Sequence, residues 1–535
     1  MPLLSLPDDV LHTILSHFLT HGNTLDLPFK NEPWKDHAYD NEGKSWREGL
    51  RDLRNLGLVS RTANEIATPY LYRKVLVRGA EHILPLLRTL VTRPDLATHV
   101  RTLAVIATPE RWDTDEIMSY LQELRASAKT PWTNRILETF LGKHHEEEVA
   151  CGSTAPETRD ILRDTSLSLF RLPLAIMSQT AGAQTVTYLI CYNYLTGLVP
   201  PVLATLESIH GDAHLRSQML PRLDKLSVFE VQDGRINDTR WNRRLIASLL
   251  RFGHVRELWL QREDFPEEQD APGLLGQVEV VRARGGHRNP DTWVNFLDSF
   301  PKLRAFDWRG TTWKFFDSFC PVGDLNEALS TRADTLRSVR VHAAHKDRIG
   351  LSDVTLHLGL ERRLTCLPLL IHLTHLQTDM TALFASPFDL PELPPPGKPS
   401  NSALDLRNML PASIKYVELA SWKTEYLLYR PVIKTQMYFA RLRRIIALVV
   451  GYSRAQLPSL ELFEFGMADM DSRGYEELAT AADPRRVALI WPQRWLTGLG
   501  EAAGVRYQYI GGVADRRPFR EDEPIEIYGD ENGGD

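Results

Sequence analysis

The sequence predicts a mixed α/β fold in which a short all-helical N-terminal segment precedes a long array of parallel strands backed by helices. Two patterns predict it. Residues 6–77 carry apolar side chains at helical spacing in two separated pieces, and from about Ala97 one apolar phrase returns nine times. Size and composition agree. The apolar fraction of 43% and charged fraction of 25% are those of a globular protein. At 535 residues the chain exceeds one ordinary domain unless it is built of repeats, which have no fixed upper size.

The first piece reads Leu6-Pro7-Asp8-Asp9-Val10-Leu11-His12-Thr13-Ile14-Leu15-Ser16-His17-Phe18-Leu19. Val10, Leu11, Ile14, Leu15, Phe18 and Leu19 recur three and four apart, which is one stripe of a helix. Ser5 with Asp8 suits a capping box, Pro7 falls in the first turn, and Asp8 and Asp9 face the positive end of the helix dipole. The second piece continues the stripe with Leu53, Leu56 and Val59. A short helix around Asn64–Ala67 follows, expected to stop at Pro69. Three such helices hold more apolar surface than so few residues can bury among themselves. Some of it must meet the remaining chain or a partner.

The residues Leu-Pro-x-Asp-x-Leu-x-x-Ile-Leu-Ser, then Leu-x-x-Leu-x-Leu-Val-Ser-Arg-x-x-Asn and Ala-Thr-Pro-Tyr-Leu-Tyr-Arg, resemble the F-box, in its fungal form. The resemblance implies helices that dock on the Skp-type linker subunit of cullin–RING ubiquitin ligases. It assigns Leu6, Pro7, Asp9, Leu11, Ile14, Leu15, Leu56, Leu58 and Val59 to that contact or to the small core behind it. One departure is the polar stretch from about 20 to 49, an insertion between the first two helices that costs little because loop-closure entropy grows only logarithmically. Trp34 and Trp46 lie within it, and whether they pack on the docking face is open.

The returning phrase is apolar-x-x-apolar-x-apolar. It reads from Val100, Val186, Leu223, Val255, Leu303, Leu336, Leu373, Ile414 and Leu460. Several copies follow an apolar-Pro cue, as at Leu220-Pro221, Phe300-Pro301, Leu410-Pro411 and Leu457-Pro458. Helical stretches such as 242–252 and 325–333 lie between. The pattern resembles an irregular leucine-rich repeat, a solenoid with parallel strands on the concave face and helices outside. Its repeats are longer than that family's, and the usual Asn after the phrase is mostly missing. Strand side chains alternate between faces, so the phrase residues point inward and their neighbours outward. The outward set then includes Tyr188, Ile190, Tyr192, Phe229, Glu257, Trp259, Arg309 and Arg340. Tyr188, Tyr192, Phe229 and Trp259 are expected to seat an apolar anchor of a client, and Arg309 and Arg340 its polar flank.

Three segments are expected as loops: 142–158, with His144-His145-Glu146-Glu147-Glu148, the charged, Gly-rich 264–291, and 387–402. The expected organisation is a helical domain over 1–78, a repeat domain over 79–515 and an acidic, disordered tail over 516–535.

Charge and cysteine usage exclude several classes. A net charge of −6 without a basic run argues against nucleic-acid binding. Cys151, Cys191, Cys320 and Cys366 show no Cys-x-x-Cys spacing, which suits a reducing compartment, cytoplasmic or nuclear, and no cysteine-based zinc site. The start lacks a basic leader, and the longest apolar run, 445–450, is far short of a membrane span. His144 and His145, and the pairs His342/His345 and His372/His375, read as solvated or surface histidines, and no metal or other cofactor is expected. Gly498-Leu499-Gly500 has the wrong spacing for a dinucleotide loop, and no nucleophile elbow or phosphate loop occurs.

The two resemblances together imply a substrate-recognition subunit of a Skp–cullin–F-box ubiquitin ligase with no catalysis of its own. It would hold the linker through the F-box and a client protein through the repeats. Two alternatives stay open: a repeat scaffold whose linker complex never joins a cullin, and an enzyme with an unrecognised site.

Overall fold

A computed structural model describes Val10, Leu11, Thr13, Leu15, residues 49–107, 119–120, 122–124, 126, 172–191, 206–207 and 209–231. It further describes 240–261, 273–284, 290–309, 325–342, 363–379, 382–383, 408–421, 457–467 and 506–510. The chain forms two compact units, one of residues 1–285 and 299–303 and the other of 286–298 and 304–535. The first holds α1 (Arg61–Leu71), β1 (Lys74–Arg78), α2 (Ala80–Thr92), α3 (Pro94–Ala97), β2 (Thr102–Ala107) and α4 (Leu172–Gln179). It continues with β3 (Thr185–Cys191), α5 (Ala213–Gln218), β4 (Lys225–Val231), α6 (Arg240–Leu250), β5 (Glu257–Gln261), a 3₁₀ turn at Leu275–Gln277 and β6 (Val280–Arg284). The second unit holds α7 (Pro290–Asp298), β7 (Ala305–Arg309), α8 (Leu325–Ser330), β8 (Ser338–His342), a 3₁₀ turn at Leu367–Leu369 and β9 (His375–Asp379). Its last strands are β10 (Tyr416–Ser421), β11 (Leu462–Met467) and β12 (Arg506–Ile510). In each unit the strands lie side by side in chain order, and every pair is parallel. The expected mixed α/β class, parallel strands in chain order with helices between them, is what the chain forms.

Two devices recur at the strand starts. A four-residue turn delivers the first phrase residue: Leu223 N donates to Leu220 O (3.0 Å), Leu303 N to Phe300 O (3.1 Å) and Leu460 N to Leu457 O (3.1 Å). In these three turns the proline of the cue is the second residue, where its fixed φ suits the turn. A single carbonyl then accepts two successive N–H groups from the next repeat. Arg101 O takes Gln184 N (2.8 Å) and Thr185 N (3.0 Å), and Gln184 O takes Asp224 N (2.8 Å) and Lys225 N (2.9 Å). In the second unit Arg304 O takes Arg337 N and Ser338 N, and Arg337 O takes Thr374 N and His375 N. Where it occurs, the shared carbonyl sets a strand in register with the one before it. Gly253 lets one such turn pass its predecessor, because a Cβ there would come within 2.6 Å of Leu223 Cβ.

Helices sheathe the inward face. α2 packs on β1, and α4 packs on α2 and β2. All eight residues of α4 are buried, as a helix apolar on every side requires. In the second unit α7 packs on α8. There Trp293 meets Phe296, Phe306 and Trp308 edge-on, with ring centroids 5.9 to 6.2 Å apart. The phrase residues of β2, β4, β5, β7 and β8 are buried as expected. Thr378 fills an apolar place in β9 because its hydroxyl donates to Val341 O (2.9 Å).

Four expectations need correction. In β3 the phrase begins at Ala183, not Val186. Val186 pairs with Leu103 and Leu226, and Tyr188 with Val105 and Val228, so Tyr188 and Ile190 lie on the core face and are fully buried. A three-residue shift is odd and exchanges the two faces of a strand. Second, residues 264–291 are not simply a loop. Val278, Val281 and Ala283 are buried and form a further phrase on the 3₁₀ turn and β6. Third, α1 runs through Pro69 to Leu71: Ser60 caps it, and Tyr72 N closes the last turn on Thr68 O (3.2 Å). A proline in the last turn removes one bond there instead of breaking a helix interior. Fourth, Lys74–Arg78, at the end of the expected helical domain, is the strand β1 paired with β2. The loops 142–158 and 387–402, the insertion at about 20–49 and the tail from 516 lie outside the described residues.

Replacing Tyr188 with Ala should lower the stability of the first unit by about 3 to 5 kcal/mol, the usual cost of emptying a buried aromatic site. Urea unfolding checks this. A change in midpoint no larger than that of an exposed substitution would restore the other strand phase.

Candidate functional site

Two surfaces were expected to bind proteins, one on the N-terminal helices and one on the outward strand face. In the N-terminal segment Leu15 and Leu53 form a small buried core. Leu50, Leu56, Ile66, Tyr70 and Leu71 pack against it. Leu11 is buried too. Leu11 and Leu15 are therefore core, and not themselves an exposed contact. Leu58 and Val59 are the opposite: 79% and 69% exposed, in the turn between helical residues 49–57 and α1. Val59 sits past the helix end, so it leaves the Leu53–Leu56 stripe. The turn is held from both sides: Leu58 N donates to Asn55 O (3.1 Å), Val59 N donates to Leu56 O (3.0 Å), and Ser60 Oγ accepts from Ala63 N (3.1 Å). Two adjacent apolar side chains are thus presented on a fixed turn. Leu6, Pro7, Asp9 and Ile14 lie outside the described residues.

The outward face of the first unit is not open throughout. Ala104, Ile106, Thr187 and Ser227 lie on it and are buried. Accessibility returns at β4–β6, where Lys225, Glu257, Trp259 and Arg282 meet. Glu257 Oε2 pairs with Lys225 Nζ (2.6 Å) and Oε1 with Arg282 Nε (3.0 Å), while Trp259 Nε1 donates to Oε1 (2.7 Å). The Arg282 guanidinium lies over the indole of Trp259, 4.3 Å from its centroid. Register explains the assembly: Lys225 pairs with Glu257, and Trp259 with Arg282, so side chains two apart on β5 reach both neighbouring strands. Burial would raise the Glu257 carboxyl, but the hydrogen bond from Lys225, the charge of Arg282 and the indole N–H outweigh it and hold the group below its ordinary value.

Of the expected client residues, Trp259 stands at this cluster, partly exposed, and Tyr188 is in the core instead. Phe229 holds the register position opposite Leu189, on the face of Lys225 and Ser227. Tyr192 lies outside the described residues. In the second unit Arg340 is on the outward face, and Arg309 holds the register position opposite His342. Arg340 Nη1 stands 3.5 Å from Asp307 Oδ2. Beyond them Tyr416 Oη donates to Glu418 Oε2 (3.3 Å) and its ring lies 5.8 Å from that of His375. Arg282 was missed because its segment reads as a loop. The spacing Glu257-x-Trp259 on one face was the available signal.

Among the described residues no group of three metal-ligating side chains occurs, and no helix is long and apolar enough to cross a membrane. His144 and His145 lie outside them. His375 engages its neighbour, with Thr374 Oγ1 2.8 Å from Nδ1. The Cys366 thiol is buried, and burial pushes it up to about 12, so it is not a thiolate nucleophile. His210 is stacked on Phe252 at 4.3 Å, and burial pulls it down to about 4, which keeps it neutral near pH 7. No family model matches the sequence, and no curated protein matches it significantly.

Glu257 makes a pH-dependent contribution. Its folded-state carboxyl is lowered, so the stabilisation is complete above its unfolded value, roughly pH 4, and fades as pH falls through the lower folded value. Glu257→Gln should therefore unfold more easily than the parent at pH 7, and the gap should close on acidification. Urea midpoints measured across that range check it; a gap independent of pH would mean the charge is not what stabilises.

Proposed function

We propose that this chain is a substrate-recognition subunit of a Skp–cullin–F-box type ubiquitin ligase. The N-terminal helices hold the Skp-type linker, and the strand array holds a client protein. The observation that carries the reading is the Leu58–Val59 pair, exposed on a capped turn beside a helical core too small to stand alone. The F-box resemblance runs through these same residues. Ubiquitin transfer then needs no catalytic group on this chain. Holding client and charged conjugating enzyme in one assembly raises the effective concentration of client lysines at the thioester.

In this reading the F-box positions have two roles. Leu58 and Val59 are the contact residues; Leu15 and Leu56 belong to the small core next to the turn, and Leu11 is buried. The client surface is the cluster around Trp259, where an aromatic face is partly accessible on a sheet otherwise closed over β2 and β3.

Leu58→Asp with Val59→Asp should abolish co-purification of the linker while circular dichroism and unfolding midpoint stay unchanged. Leu11→Ala with Leu15→Ala should also lose the linker, but together with the N-terminal helical signal, since buried leucines cost about 2 to 5 kcal/mol each. Retention of the linker by the Asp double variant sinks the docking assignment. Pull-down with mass spectrometry then separates the readings: linker with cullin supports the ligase subunit, linker alone a scaffold, and neither an unrelated role.

A further inference from the structure

We infer that the Lys225–Glu257–Trp259–Arg282 cluster is a receptor for a carboxylate side chain on an extended client segment, with Arg282 as its specificity-determining residue. The inference rests on the client-binding reading of the outward face and adds the chemistry of what binds. Arg282 is held on two sides. Its Nε is ion-paired with Glu257 Oε1 at 3.0 Å, and its guanidinium carbon lies over the Trp259 indole, 4.3 Å from the ring centroid. Among the described residues these are its only side-chain partners, and about a third of the side chain (34%) is exposed. A guanidinium fixed through Nε and one face keeps its two Nη groups for a bidentate contact, the geometry that matches a carboxylate. Lys225, 48% exposed, adds a second cation at the same carboxylate, Glu257. Two cations around one anion leave the cluster one positive charge in excess.

The arrangement also restricts the partner. Glu257 is nearly buried and already occupied by three donors, so it offers a client cation little. The partly exposed side chains are an indole, a guanidinium and an ammonium. An extended segment with an Asp or Glu next to an apolar residue satisfies all three, because the carboxylate takes the fork and the apolar side chain covers the indole. A basic segment would meet two like charges.

The test uses the full chain and a displayed library of random nine-residue peptides. Selected peptides should carry Asp or Glu beside an aromatic or aliphatic residue. Changing that acid to its amide should weaken binding at least tenfold against the parent but less than twofold against Arg282→Gln. Arg282→Lys should behave like Arg282→Gln, since an ammonium neither stacks nor forks. Selection of basic or uncharged peptides, or an equal loss on amidation in both proteins, overturns the inference. Trp259→Ala separates the two layers. If it weakens the selected peptides while their acid proves irrelevant, the client face stands and only the carboxylate assignment falls. If no selected peptide responds to Trp259→Ala, the face itself is wrong.

Discussion

In-register parallel pairing is the constraint on which the other features depend. Several strand starts offer one carbonyl that accepts two N–H groups of the following strand segment, as Arg101, Gln184, Asp224 and Arg256 do in the first unit. Once that bond pair is made, the side chains of neighbouring strands are aligned residue for residue. The core must then accept whatever lies at the aligned positions. This is why Tyr188 is buried between Val105 and Val228 although a phrase of equal quality could be read with Tyr188 outside. The same bonds make repeat length unimportant: the connection between β2 and β3 is long and that between β5 and β6 short, yet both pairs align.

The outward cluster follows from that alignment. Lys225, Glu257 and Arg282 belong to three strands separated by tens of residues, and they meet because pairing sets Lys225 opposite Glu257 and Trp259 opposite Arg282. A carboxylate nearly removed from water is tolerated because two cations and an indole N–H satisfy it. The cost of burying charge is offset locally, and the arrangement leaves the guanidinium oriented. Side chains fixed in this way lose little further freedom when a ligand arrives.

The N-terminal helices solve a different problem. Their core of Leu15 and Leu53 is too small to be stable alone, and the half-buried Leu50, Leu56, Ile66 and Tyr70 extend it. Leu58 and Val59 are excluded from it by the turn. An apolar pair in water, held by a capped helix start, is stabilised by covering it, which is the physical basis for reading the turn as a docking point.

Much was legible from the residues alone. Alternation and recurrence pointed to strands with one buried face separated by helices, which is the mixed α/β class the chain forms. Helical spacing likewise placed Leu11 and Leu15 on the apolar stripe of one helix and Leu53 on that of the next. Tertiary structure decided the rest. Strand phase in Thr185–Cys191 is ambiguous locally, since Val186, Tyr188, Leu189, Ile190 and Cys191 allow either face inward, and only the ladder to β2 and β4 selects one. The phrase at Val278 hides in a polar, glycine-rich stretch and is recognised only when Val281 and Ala283 meet the core. Arg282 could not be assigned a role before then. Its partners Glu257 and Trp259 lie more than twenty residues away in the chain, and hydrogen bonds between backbones, not side-chain pattern, bring them together.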